Sequence, residues 1–187
     1  MNAANHTRTG GFVLAPDEGQ PFWFLNTLTI TKVASGHSHG QLSILDHRVP
    51  PGFAPPPHLH HHSDEALLIL DGQLNGFCGD HPWQAGPGSL VFMPRAVPHG
   101  FTVSDAGPGR IIIVASPGGF DQFVAAAGEP APDLCLPVPI PPDPALLTRL
   151  AAAHGIQILS PSRHQPSLAH AAQRCLRIYR HARIKQI

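Results

Sequence analysis

Residues 52–65 read Gly52-Phe-Ala-Pro-Pro-Pro-His58-Leu-His60-His-His-Ser-Asp-Glu65, and Gly72 closes the stretch. Two histidines at i and i+2 of an extended chain project to one face. A carboxylate five residues after His60 returns to that face from the next strand. Imidazole and carboxylate together suit a first-row divalent metal. A second block lies downstream, with Gly88, Pro94 and His99 ending in Pro-His-Gly-Phe. It supplies a third imidazole from another strand.

Outward from these blocks the chain is a series of short strand-like runs. They are Gly11–Leu14, Pro21–Asn26, Leu28–Ala34, Gln41–Val49, Glu65–Leu70, Gln73–Cys78, Ser89–Met93, His99–Val103 and Arg110–Ala115. Turn signals separate them, among them Asp71-Gly72, Gly79-Asp80, Gly86-Pro87-Gly88 and Gly107-Pro108-Gly109. Many short strands at this spacing predict a β-sandwich or barrel. No βαβ alternation is present, which argues against a nucleotide-binding α/β sheet. Helical patterning comes late. Phe120, Phe123 and Val124 mark one helix within Gly118–Ala127, with Gly128 as its stop. A connector with seven prolines spans Pro130–Pro144 and reads as extended chain on the surface or crossing to a partner. Asp143-Pro144 then opens a short amphipathic helix carrying Leu146, Leu147, Leu150 and Ala151, which ends before Gly155.

The chain has 187 residues, enough for one domain with an appendage and for a core without disulfide staples. Charged residues are only 13%, which argues against a coiled coil. Net charge is zero but unevenly spread. Residues 1–143 carry all twelve acids and five Lys/Arg, whereas residues 144–187 carry seven Lys/Arg and no acid. Fourteen histidines are the compositional anomaly. Cys78, Cys135 and Cys175 form no C-x-x-C pair, so reduced thiols in a cytoplasmic protein are expected. The N-terminus has no signal-peptide pattern, and no stretch approaches the roughly 18 apolar residues of a membrane span.

With Gly52, His58, His60, Glu65 and Gly72, the first block resembles the first motif of the cupin superfamily, G-x5-H-x-H-x3,4-E-x6-G. Gly88, Pro94 and His99 resemble the second, G-x5-P-x-G-x2-H-x3-N, with Ala96 in place of the inner glycine and Val103 in place of the asparagine. Neither departure falls on a family metal ligand. A narrower likeness is to single-domain, quercetin 2,3-dioxygenase-like cupins. It rests on Phe22-Trp-Phe-Leu, Pro50-Pro-Gly-Phe-x-Pro-Pro-Pro-His58, Ser116-Pro-Gly-Gly-Phe, Gly128-Glu-Pro and Leu150-Ala-Ala-Ala-His-Gly-Ile. The resemblance implies an all-β fold, a double-stranded β-helix jelly roll with short C-terminal helices. The likeness covers roughly residues 11–160, and the chain's layout is expected to be a flexible N-terminus (1–10), the cupin domain with its adjoining helix (11–128), connector and helix (129–160) and a basic tail (161–187) that matches nothing in the family. It implies a homodimer and one divalent transition metal per chain (Fe, Ni, Mn, Co, Cu or Zn) held by His58, His60, Glu65 and His99. Glu65 is implied to double as the catalytic base, with its pKa raised by an apolar pocket.

Around these ligands the period of two turns Phe101, Leu67 and Ile69 inward, toward the pocket or simply into the core. Of Trp23 and Phe24, which alternate faces, one lies inside, and Phe24 joins the candidate pocket set. His61 and His62 have no slot in the motif and read as loop. Asp64 competes with Glu65, but the spacing selects Glu65. His37 and His39 share the i, i+2 spacing, yet with flanking glycines and no nearby carboxylate they read as a solvated hairpin turn. The tail 161–187 has three readings: a disordered extension, a helix on a dimer partner with Leu168, Ala172, Cys175, Tyr179 and Ala182 on one stripe, or an anionic-surface contact. Its arginines lack the interleaved aromatics of a nucleic-acid platform, so no nucleic-acid partner is expected.

The function expected from the resemblance is a metal-dependent dioxygenase for a flavonol-like or other enolisable aromatic or diketone small molecule, with O2 as co-substrate. Two alternatives stand beside it. One is an oxygen-independent metal cupin, such as an isomerase, epimerase or decarboxylase. The other is a non-catalytic cupin that binds a small molecule.

Overall fold

The protein is described by a computed structural model in which residues 10–160 are defined. Twelve strands and two helices follow in chain order. They are β1 (Gln20–Phe24), β2 (Thr27–Val33), β3 (Ser43–Val49), β4 (His58–His60), β5 (Asp64–Asp71), β6 (Leu74–Cys78), β7 (His81–Ala85), β8 (Leu90–Met93), β9 (His99–Val103), β10 (Gly109–Ser116), α1 (Phe120–Ala127), β11 (Glu129–Pro130), α2 (Pro144–Ala153) and β12 (Ile156–Ile158). They form two antiparallel sheets, β11-β1-β2-β3-β10-β5-β8 and β12-β4-β9-β6-β7. This is an all-β, double-sheet jelly roll, with the α-helices short and late in the chain.

The core lies between the sheets, and strands such as β5 and β10 bury alternate residues in it. Leu45 and Val49 on β3, Leu67 and Ile69 on β5, Val103 on β9, and Ile111 and Ile113 on β10 are almost entirely out of contact with water. Phe123 and Val124 on α1, Ala151 on α2 and Ile156 on β12 belong to the same cluster. The helices therefore close one end of the barrel rather than lying apart from it. Helix α2 starts as its sequence dictates. The Asp143 carboxylate accepts from the amides of Ala145 and Leu146, and Pro144 occupies the first turn, where a missing N–H costs nothing.

Several elements differ from expectation. Gly11–Leu14 forms no strand; Phe12 instead sets its ring edge-on to His37, 5.3 Å between centroids. Strand β7 lies outside the expected runs, because Pro82 and polar neighbours disguise it. It sits at the edge of its sheet, where a proline needs no ladder partner. Strand β12 is three residues long, too short for a periodicity to register. The connector runs over the chain's own β1 end, where Trp23 Nε1 donates to the Cys135 carbonyl and Asn26 exchanges two hydrogen bonds with Ile140. Cys78 is half-buried and Cys135 exposed. Cys175 and the rest of the basic tail lie outside the described residues. No helix among the described residues is long and apolar enough to cross a membrane.

Candidate metal centre

Three strands of both sheets bring the ligand set together. β4 carries His58 and His60, β9 carries His99, and β5 carries Glu65. β4 is pinned on both sides: His58 pairs with His99 of β9, while Ile156 and Ile158 of β12 pair with His60 and His58. The loop between β8 and β9 is tied back to the first motif. Ala96 N donates to the His60 carbonyl, and Arg95 reaches Asp64 through its backbone amide, Nε and Nη2. Asp64, the competing carboxylate, is thereby committed to Arg95, and Glu65 alone enters the cluster.

One ligand atom from each of His58, His60, Glu65 and His99 can be chosen so that all four lie within 4.8 Å of one another. Glu65 Oε2 is 3.4 Å from His99 Nε2 and 3.7 Å from His60 Nε2, both longer than a well-formed hydrogen bond. The Nε2 atoms of His60 and His99 are buried and have no hydrogen-bond partner. Such orphaned atoms cost about 1–3 kcal/mol each unless something else occupies their lone pairs. The opposite ring nitrogens explain what that is. His58 Nδ1 lies 2.8 Å from the Pro56 carbonyl and His99 Nδ1 lies 2.9 Å from the Val97 carbonyl. A carbonyl only accepts, so Nδ1 carries the proton and Nε2 presents a lone pair, the usual orientation of a metal-ligating imidazole. These residues fit a divalent transition metal.

The electrostatics point the same way. Burial lowers the His58 pKa to about 4, helped by His99 and opposed by Glu65, and burial likewise lowers that of His60. Both are neutral near pH 7, as ligands must be. For Glu65, burial acts to raise the pKa as expected. In the acid range where Glu65 titrates the imidazoles are themselves protonated, and the nearby His99 together with the charge on the three rings outweighs burial and holds the group at about 2. The expectation of a raised pKa is thus corrected: the apolar surroundings are present, but the imidazoles win, and Glu65 is a firm anion.

A cavity opens beside the cluster. Its wall includes His58, Glu65 and His99, the rings of Phe24, Phe53, Phe101, Phe120 and Phe123, and Leu147, Ala151, Ile156 and Ile158 from the C-terminal elements. Of the candidate pocket residues, Phe24 and Phe101 border this space. Leu67 and Ile69 are packed in the core and are not in its wall. Trp23 faces the other way. His37 lies within a 3-10 turn between β2 and β3 and His39 follows its end, both outside the cluster and outside the cavity wall. His61 and His62 are exposed loop residues. Of the motif departures, Ala96 keeps a left-handed backbone with φ of 60°, and Val103 is core. Several wall residues escape the sequence reading, among them Phe53, Phe120 and Phe123 and, as a polar group, His47, buried on β3. It falls in the inward phase of that strand with Leu45 and Val49, and a histidine in an apolar inward phase is the available signal.

With this geometry in view, comparison with known proteins supports the cupin superfamily. The cupin domain family model matches residues 45–115. No curated protein matches the chain. Among solved structures, KdgF from Halomonas sp. is 17% identical with a TM-score of 0.53, covering 61% of this chain and 99% of that one. That likeness is one of fold. The protein TT1209 from Thermus thermophilus is 27% identical with a TM-score of 0.40, covering 42% of this chain and 74% of that one. The polyketide cyclase RemF from Streptomyces resistomycificus is 22% identical with a TM-score of 0.44, covering 63% and 80%.

Proposed function

We propose that the chain is a metal-dependent enzyme acting on a small, oxygen-bearing, largely apolar molecule, and that its reaction is the dioxygenation of a flavonol-like or other enolisable aromatic or diketone compound. The observation that carries the reading is the convergence of two buried, unpartnered imidazole nitrogens and an anionic carboxylate beside a cavity walled by five phenylalanines. When bound by His58, His60, Glu65 and His99, a divalent transition metal supplies Lewis acidity and open coordination positions.

The chain's own residues do the rest. The Pro56 and Val97 carbonyls hold two imidazoles in the ligating tautomer. The phenylalanine rings exclude water and stack against a flat substrate. Glu65 is held anionic, so it takes the proton of a substrate hydroxyl only when that hydroxyl is itself acidified in the site. An oxygen-independent proton-transfer reaction is the second reading, favoured by the presence of two proton-handling side chains, Glu65 and His47, in one cavity.

Oxygen consumption by metal-reconstituted protein offered quercetin tests the proposal, with the double variant His58→Ala/His60→Ala as control. Uptake that disappears in the control supports a dioxygenase. No uptake with any of the six metals removes dioxygenation of flavonols and transfers the site to the second reading.

A further inference from the structure

His47 lies in the cavity wall opposite in kind to everything around it. Among the described residues it is, apart from His58, Glu65 and His99, the one polar side chain lining that space. It is 4% exposed, and its ring meets Phe53 edge-on at 5.7 Å between centroids. Its Nδ1 lies 2.8 Å from Thr29 Oγ1, directly across the β2–β3 register. Among the described residues its Nε2 has no partner.

The threonines decide which ring nitrogen bears the proton. Thr27 Oγ1 donates to the Phe24 carbonyl, so its own hydrogen is committed. Thr29 Oγ1 then has two acceptors within reach, Thr27 Oγ1 at 3.4 Å and His47 Nδ1 at 2.8 Å. Only the second is a normal hydrogen-bond length. Were Nδ1 to donate, the Thr29 hydrogen would face only the long contact to Thr27, so donation from Thr29 to Nδ1 is the arrangement that satisfies both threonines, and it leaves the proton of the neutral imidazole on Nε2. Burial favours that neutral form, against the opposing pull of Glu65 and Asp46.

We propose that His47 is a substrate-binding group whose Nε2–H donates a hydrogen bond to an oxygen of a phenol- or enol-bearing aromatic ligand, with Thr29 as the positioning residue that fixes its tautomer. The proposal rests on the reading of the cavity as a substrate site. An apolar wall with one fixed donor selects flat molecules by their rings and orients them by one oxygen. A buried donor left unpaired penalises analogues lacking that oxygen more than the extra contact rewards those that have it.

The test measures quercetin binding to the full chain, loaded with nickel and metal-free, for wild type, His47→Phe, His47→Gln and Thr29→Val, alongside metal content. Loss of one buried hydrogen bond weakens quercetin by about 5- to 30-fold in His47→Phe. His47→Gln keeps an N–H donor and recovers part of the loss, and bound metal stays unchanged in all four proteins. Ring 15N shifts give a readout that a packing role would not move: wild type shows Nδ1 bare and Nε2 protonated, and Thr29→Val relaxes that preference. Equal affinity of His47→Phe and wild type overturns the inference, as does a wild-type Nδ1 that carries the proton. A wild type that does not bind quercetin overturns the ligand class. Binding that depends on His47 without any oxygen uptake leaves this inference standing and removes the dioxygenase. Quercetin turnover indifferent to His47→Phe does the reverse.

Discussion

His58 and His99 stand directly opposite one another at the one registered pair joining β4 to β9, with ring centroids 4.5 Å apart and planes at 72°. The two sequence motifs thus meet at a single rung, and the metal set depends on that rung holding. Removing either side of it should abolish binding. We expect His99→Ala, like His58→Ala/His60→Ala, to lose the metal, while His61→Ala and His62→Ala keep it. Metal per chain after dialysis decides this, and a His99→Ala protein that retains stoichiometric metal excludes His99 as a ligand.

Glu65 separates binding from turnover. Its carboxylate lies within 3.7 Å of two ligand nitrogens, yet it also faces the cavity. An amide of the same shape still offers an oxygen to the metal but cannot take a proton. Glu65→Gln should therefore retain part of the metal affinity and lose turnover by about 100-fold or more. Near wild-type rates in that variant remove Glu65 from the chemistry.

Acid should destabilise the metal-free protein well above the range of ordinary carboxylates. Burial lowers His47 and His58 to about 4 in the folded chain, against about 6.5 when unfolded. Between those values the unfolded chain binds protons that the folded chain refuses. Stability is complete above about pH 6.5 and falls as pH drops toward about 4. For His47 the loss reaches at most about 3 kcal/mol at the lower end of this window. Urea midpoints at pH 7 and about pH 4.5 measure it. The decline should be shallower in His47→Gln, and an equal slope in that variant shows that His47 titrates normally.

The clustering of His58, His60, Glu65 and His99 was legible because a metal-ligating pattern constrains sequence at short range. His58 and His60 share a face by the period of two, and Glu65 and His99 follow at motif spacing. The jelly roll was legible for a related reason, since turns at Asp71-Gly72 and Gly86-Pro87-Gly88 punctuate it. What stayed hidden depends on long-range pairing. Strand β12 exists because Ile156–Ile158 finds β4, ninety-six residues away between Ile156 and His60. The cavity role of His47 depends on Thr29 across a hairpin, and no local spacing records it. The pKa of Glu65 went against expectation because its apolar setting can be read from neighbours, whereas the three imidazoles act on it only once folded.

Ala96 carries the last prediction. It replaces the glycine of the second motif, yet the loop keeps the backbone that glycine would adopt, with φ of 60°. The reason is geometric: Ala96 N donates to the His60 carbonyl at 2.7 Å, and its neighbour Arg95 is held by Asp64. Both contacts anchor the ligand strands, so the loop cannot relax to a negative φ without releasing them. A left-handed alanine costs about 1–2 kcal/mol, and glycine in its place would remove that strain but forfeit about 0.4–1 kcal/mol through the greater entropy of the unfolded chain. Ala96→Gly should then stabilise the protein by about 0.5–1 kcal/mol, with metal content unchanged. Ala96→Val, branched at Cβ in the same conformation, should destabilise it and weaken metal binding together, because the strain is relieved only by letting go of His60. Chemical denaturation of the three proteins with metal analysis checks both. If glycine lowers the midpoint, the loop is held by its alanine side chain rather than by its backbone contacts.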